Sequence, residues 1–168
     1  MLTYKDVITP IGTIRISASL AGLTSVILLS RQSEELNLTK TSIGFIEEAE
    51  SQLLGYFAGK VKHFELPLDW SGMPPFRLNA LRKTAQIPWG EVVSYGELAR
   101  LAGNPKAARA AGGALAHNPF LLIVPCHRVI ASDGSLHGFT VEDGLKTKQQ
   151  LLEFEGHKIV NGKVIFTK

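Results

Sequence analysis

Cysteine is nearly absent from this 168-residue chain, which has one, Cys126. No intrachain disulfide can form, and no cysteine-based zinc site can be assembled. Histidine is also sparse. His63, His117, His127, His137 and His157 show no ligand-pair spacing, so no metal site is expected. No apolar run approaches the roughly 20 residues of a membrane span. The opening MLTYKDVITP lacks the pattern of a signal peptide. A reducing, intracellular (cytoplasmic) setting is the expectation. The chain carries no internal repeat and no low-complexity tract.

What is present is an ordinary globular balance, with 45% hydrophobic and 20% charged residues. It suffices for one compact domain or two small ones. The formal charge is only +3, but it is unevenly placed. Residues 77–128 hold seven basic side chains (Arg77, Arg82, Lys83, Arg100, Lys106, Arg109, Arg128) against Glu91 and Glu97. Residues 1–75 hold six basic residues and eight acids. A basic middle suits an anionic surface such as nucleic acid. A solvated helical face would look the same on charge alone.

The expected fold class is α+β, in two domains. Val7–Ile16, broken at Pro10-Ile11-Gly12, and the apolar run Leu23–Leu29 predict an antiparallel pair. Thr41–Gly59 predicts a helix with Phe45, Ala49, Leu53 and Phe57 inward, stopped at Gly59. Phe64–Leu68 is short and β-like. Ser71-Gly72-Met73-Pro74-Pro75 marks the boundary, giving a structural domain over residues 1–75 and a mostly helical one over residues 76–168. In the C-terminal domain, Phe76–Ile87 reads as a helix with Leu78, Leu81 and Ala85 inward. Ser94 with Glu97 has capping-box spacing, and that helix ends at Gly103. Lys106–His117 follows as a second helix rich in small residues, making a helix-turn-helix pattern. A final helix, Leu145–Phe154, stops at Gly156. A hairpin turning on Asn161-Gly162 closes the chain.

Cys126 follows the apolar run Phe120–Val124 and stands between Pro125 and His127. A cysteine reacts as thiolate, so something must take its proton. Neighbouring side chains often point apart, so His127 would act through a bridging water. Glu155, beyond the last helix, is a candidate for orienting the imidazole.

Several ordered motifs together are more specific than any one of them. Pro125-Cys126-His127-Arg128-Val129-Ile130 is similar to the active-site signature of the O6-alkylguanine-DNA alkyltransferases. Asn118-Pro119 resembles that family's asparagine hinge, AARAAGGAL its recognition helix, VVSYGELA the helix before it, and Glu155-Gly156 its late glutamate. The match runs from about Phe76 to Gly156.

The resemblance implies a DNA-repair protein, with a ribonuclease H-like N-terminal domain. It would transfer the alkyl group of O6-methylguanine, and also of O4-methylthymine, to Cys126 in a single turnover, with no cofactor. Cys126 would be the nucleophile, His127 its water-linked base and Glu155 the group polarising His127. Asn118 would hold the turn, and Tyr95 would protonate guanine N3. Arg109 would replace the flipped nucleotide in the stack, while Ala107, Ala108, Gly112 and Gly113 let the helix approach DNA closely. Arg128 would support the turn. Pro125, Phe139 and Thr140 would line the alkyl pocket. The loop Phe139–Leu145 is about two residues longer than the family's, with acids in place of glycine. It bears on how bulky an alkyl group fits. The implied partner is duplex DNA carrying O6-alkylguanine, approached by a monomer needing no protein partner.

Three other readings stand beside this one. A non-transferring recognition protein would lack the cysteine. A helix-turn-helix regulator would prefer a fixed palindrome. A cysteine hydrolase would need turnover and an oxyanion hole, for which the sequence gives no signal.

Overall fold

Three β-prone segments near the start pair in chain order. In this computed structural model, which describes residues 3–30, 44–139 and 143–166, β1 (Thr3–Thr9), β2 (Gly12–Ser19) and β3 (Gly22–Leu28) form an antiparallel meander. The sheet therefore has three strands where a pair was expected, because the turn after Thr9 divides the first run in two. Opposite residues Asp6 and Arg15 join through two hydrogen bonds of 2.8 and 2.9 Å, which lets the Arg15 guanidinium stay buried on the sheet.

Helix α1 (Gly44–Phe57) covers this sheet. Its buried seam is Ile46, Ala49, Leu53 and Tyr56, not the Phe45–Phe57 row that spacing suggested. Both rows satisfy helical periodicity. Tyr56 wins because its ring stacks on Phe64 at 5.8 Å, and Phe45 and Phe57 are left half-buried at the seam's edge. The expected strand Phe64–Leu68 is reduced to one bridge between Leu68 and Leu23. Pro67 lies in it without a backbone donor, and its carbonyl accepts from Leu23 N–H at 2.8 Å.

Two compact units result: 1–72 together with 119–123, and 73–118 together with 124–168. The sequence reading kept 119–123 with the C-terminal domain. Backbone pairing of Val26 with Pro119 (2.7 Å) and Leu121 (2.9 Å) places that segment beside β3.

The second unit contains α2 (Pro75–Ala85), β4 (Val93–Ser94), α3 (Tyr95–Leu101) and α4 (Ala108–Ala116). A 3-10 turn (Cys126–Arg128) leads into β5 (Val129–Ile130), and α5 (Gly144–Phe154) follows. The hairpin β6 (Lys158–Val160) and β7 (Lys163–Ile165) closes the unit. Helices α2, α3 and α4 meet through Ala80, Ala102 and Ala114 beside Phe76, small contacts that bring backbones close. The fully buried positions of α2 are Ala80, Leu81 and Thr84, whereas Leu78 and Ala85 are only half-buried. A second core of Ile130, Leu136, Leu152 and Val164 lies under α5 and the hairpin. Among the described residues no helix is long and apolar enough to cross a membrane.

Helix ends fall where glycine allows them. After α3, Gly103 has φ +98° and Asn104 N–H reaches back to Ala99 O at 2.9 Å. After α5, Gly156 repeats this, with His157 N–H on Leu152 O at 2.9 Å. Both are left-handed caps that a side chain would strain. The second one fixes where Glu155 sits.

The seam of α1 generates a prediction. Leu53→Ala should cost about 3 kcal/mol, a full buried-leucine truncation. Phe57→Ala should cost clearly less. Urea unfolding of both variants checks this, and an equal loss would contradict the seam described.

Candidate active site

Pro125 introduces a tight turn. Cys126 N–H bonds Val124 O (2.8 Å) and Arg128 N–H bonds Pro125 O (2.9 Å). The backbone N–H groups of Cys126 and His127 also approach the sulfur, as does the side chain of Asn118. Asn118 Nδ2 additionally donates to Val124 O at 2.9 Å, so one amide braces the turn and touches the thiol. Cys126 keeps part of its surface exposed, yet protein atoms crowd the sulfur enough that burial pushes its pKa up. The bonds from Asn118 and the backbone, and the charge of Lys148, oppose that rise.

His127 is fully buried, and its Nε2 lies 2.8 Å from Glu155 Oε1. The Arg128 guanidinium forks onto the same carboxylate, Nε to Oε2 and Nη2 to Oε1, both 2.8 Å. Its Nη1 donates to Ile87 O at 2.6 Å. Burial alone would raise Glu155, but the bonds from His127 and Arg128 outweigh it and hold the carboxylate at about 2. For His127 burial dominates in the other direction and, with Arg128 and Lys148 nearby, keeps the imidazole neutral against the pull of Glu155. A carboxylate only accepts, so Nε2 carries the hydrogen and Nδ1 is left with its lone pair. That Nδ1 is buried without a hydrogen-bond partner among the described residues. It is therefore the ring nitrogen whose lone pair is left to accept a proton.

Tyr95 opens α3, whose cap is Ser94 accepting from Glu97 N–H at 3.1 Å. The Glu97 carboxylate turns to Arg100 instead of closing a capping box. β4 pairs in parallel with β5, Val93 with Val129 and Ser94 with Ile130, which carries Tyr95 to the reactive turn. The Tyr95 hydroxyl donates to His137 O at 2.8 Å. Burial, then the charge of a Cys126 thiolate, push it up to about 12. Lys148 Nζ donates to the same His137 O at 2.8 Å and to Val129 O at 2.6 Å, and it lies 3.5 Å from the Tyr95 hydroxyl. Sequence reasoning missed Lys148. Its signal was available: Lys148, Leu151, Leu152 and Glu155 recur at spacings of a single helix face.

The structure thus gathers Cys126, His127, Glu155, Asn118 and Tyr95 around one turn. Arg109 is apart from them, exposed on α4 and free of ion pairs among the described residues. Gly113 and Ala110 share that exposed side, whereas Ala107, Ala108 and Gly112 are half-buried. A Cβ on Gly112 would touch the Tyr95 ring at 3.8 Å. Pro125 is buried and Phe139 half-buried, the latter with a positive φ of 154°. The Phe139 carbonyl lies where a Cβ on Gly144 would have to go. Thr140 lies outside the described residues.

Known proteins share this arrangement of sequence and fold. Residues 75–157 match the 6-O-methylguanine DNA methyltransferase DNA-binding domain, and residues 2–70 match the ribonuclease-like domain of the same name. A methylated-DNA–protein-cysteine methyltransferase of Mycobacterium tuberculosis is 38% identical over 92% of this chain and 93% of its own. One from Methanosarcina acetivorans is 39% identical over 88% and 94%. The crystal structure of the M. tuberculosis O6-methylguanine methyltransferase superposes with a TM-score of 0.82 at 39% identity, covering 92% and 93% of the two chains. An M. tuberculosis structure in complex with DNA gives 0.80 at 38% identity, covering 91% and 92%.

The buried carboxylate fixes a pH response. Glu155 sits at about 2 when folded, against roughly 4.3 unfolded. Its contribution, about 3 kcal/mol, is complete above pH 4.3 and is lost as pH falls toward 2. Thermal melts across that window should show stability falling with pH in the native chain. They should show a flatter slope and a loss of about 3 kcal/mol at neutral pH in Glu155→Gln. Identical slopes in the two proteins would remove Glu155 from this role.

Proposed function

This chain belongs to the 6-O-methylguanine DNA methyltransferase family, and we propose that it repairs DNA by moving a methyl group from guanine O6 to Cys126. The observation that carries this reading is the turn itself. A single cysteine there receives backbone and Asn118 hydrogen bonds, next to a neutral histidine whose tautomer is set by Glu155.

In this proposal the thiol proton passes through water to His127 Nδ1, and the thiolate attacks the methyl carbon. The S–C bond forms as the C–O bond breaks, and that electron pair stays on guanine. Tyr95, whose hydroxyl remains protonated near neutral pH, supplies the proton that guanine takes at N3. The proton held on His127 then returns through water to the Tyr95 phenolate, so sulfur has lost one proton, guanine has gained one, and both side chains end as they began. The thioether does not revert, which makes the reaction single-turnover.

The methylated base is hidden inside a duplex, so the nucleotide has to be flipped out at a cost of a few kcal/mol. In this proposal Arg109, which is exposed on α4, fills the gap, and Ala107, Ala108, Gly112 and Gly113 keep the helix surface low. Contacts to phosphate, not base readout, suit a repair protein that meets damage in any sequence. We propose duplex DNA with O6-alkylguanine as the partner of a monomer, and O4-methylthymine as a second substrate. The longer 139–145 loop argues for a pocket that takes methyl faster than benzyl.

The direct test is intact mass after mixing with O6-methylguanine DNA. The native chain should gain one methylene mass and Cys126→Ser none. Tyr95→Phe should slow transfer on the order of 10²-fold, and Arg109→Ala should weaken repair of duplex more than of single strands. A native chain that binds this DNA without gaining mass would identify a recognition protein instead.

A further inference from the structure

The Tyr95 hydroxyl donates to His137 O at 2.8 Å. That carbonyl belongs to an exposed residue in a connecting loop, outside any helix or strand. A hydroxyl aimed at a loop is only as steady as the loop itself. Its steadiness depends on residues 131–137. The loop first closes on itself, with Gly134 N–H on Ala131 O at 2.9 Å and Ala131 N–H on Ser135 O at 3.0 Å.

Two sets of contacts then tie the loop to the β6–β7 hairpin. The first is backbone. Val164 N–H donates to Gly134 O at 2.9 Å, Ser135 bridges antiparallel to Lys163, and Leu136 N–H donates to Gly162 O at 3.0 Å. The Leu136 side chain is buried in one cluster with Val164. The second set is a row of side chains that ends at His137. Lys163 Nζ donates to Asp133 Oδ2 at 2.8 Å, the Ser135 hydroxyl donates to Asp133 Oδ1, and His137 Nε2 lies 3.0 Å from that hydroxyl. The hydroxyl's one hydrogen goes to Asp133, so His137 Nε2–H donates to Ser135 Oγ. The Lys163–Asp133 pair is exposed and adds little by itself, which leaves the backbone bonds as the main hold.

Gly134 permits the close approach. Its φ is +85°, and a Cβ there would stand 2.8 Å from Val164 O, a backbone atom that cannot swing aside. The hairpin starts at Lys158, just past the stretch 75–157 that matches the DNA-binding domain. Tyr95 and the loop lie within that stretch, and the hairpin that holds the loop lies beyond it.

We propose that the β6–β7 hairpin is a clamp that positions the Tyr95 hydroxyl, acting through Gly134, Ser135 and Leu136 to fix His137 O. None of these residues touches the reacting atoms in this role. With its acceptor fixed, the hydroxyl waits in one place and delivers its proton from there. A loosened clamp leaves the hydroxyl to wander among waters.

This inference rests on Tyr95 being the acid, but its first test needs neither DNA nor transfer. The chain has three tyrosines, so ¹³Cζ-tyrosine labelling gives three NMR signals, and that of Tyr95 is the one missing from Tyr95→Phe. In Gly134→Ala the Tyr95 signal should move toward its unfolded-chain position while those of Tyr4 and Tyr56 hold theirs. Ser135→Ala should move it the same way, and Ser135→Thr, which keeps the hydroxyl, should return it. Transfer from saturating O6-methylguanine DNA should slow about tenfold in Gly134→Ala, with DNA affinity unchanged. In a Tyr95→Phe background the same substitution should slow it no further. A folded Gly134→Ala protein with an unmoved Tyr95 signal overturns the proposal, and so does further slowing once the Tyr95 hydroxyl is gone. Should Gly134→Ala not fold, Ser135→Ala decides, and an unmoved signal there overturns it equally. Failure of Tyr95 as the acid looks different: Tyr95→Phe would transfer at the native rate, and the NMR signals alone would then decide the clamp.

Discussion

The fork between the Arg128 guanidinium and the Glu155 carboxylate is the contact from which the rest of the reactive unit takes its positions. One end is the left-handed cap of α5, and the other is the 3-10 turn that holds Cys126. A third bond from Arg128 ties in the Ile87 carbonyl just past α2. Three segments distant in sequence are thus located by one planar cation, whose rigid geometry suits the task better than a lysine's. Such a cluster is expensive to desolvate and tolerable only when every member is satisfied. It is nearly so here, and the exception, His127 Nδ1, is the atom the chemistry would use.

Around that fixed point each neighbour has two duties. Asn118 braces Val124 O and reaches the sulfur. Glu155 both anchors Arg128 and dictates the tautomer of His127. The His137 carbonyl receives Tyr95 and Lys148 together. Substitution at any of these would disturb structure and chemistry at once, so pH profiles separate the two effects better than loss of activity alone.

Local signals in the sequence carried far. Gly59, Gly103 and Gly156 end their helices as expected, Ser94 caps α3, and Asn161-Gly162, both with positive φ, turns the last hairpin. These features depend on a few adjacent residues. What was illegible depended on distant ones. Periodicity allowed two seams on α1, and the ring of Phe64 selected between them. Nothing local to 119–123 says that it pairs with β3. In the site, the motif Pro125-Cys126-His127-Arg128 and Glu155 were readable, and the geometry joins them. Lys148 was overlooked because a lysine is normally read as surface, and its burial becomes visible only when Val129 O and His137 O are found to face it.

The two-residue parallel pairing of β4 with β5 makes distance along the chain a counted quantity. Val93 is locked to Val129 and Ser94 to Ile130, so Tyr95 and Cys126 stay in step only while the few residues joining each to its strand keep their number. A single inserted or deleted residue would shift the strand's phase and turn every following side chain to the opposite face. Over evolutionary time, the segment from the sulfur to the strand is therefore held in length as well as in spelling.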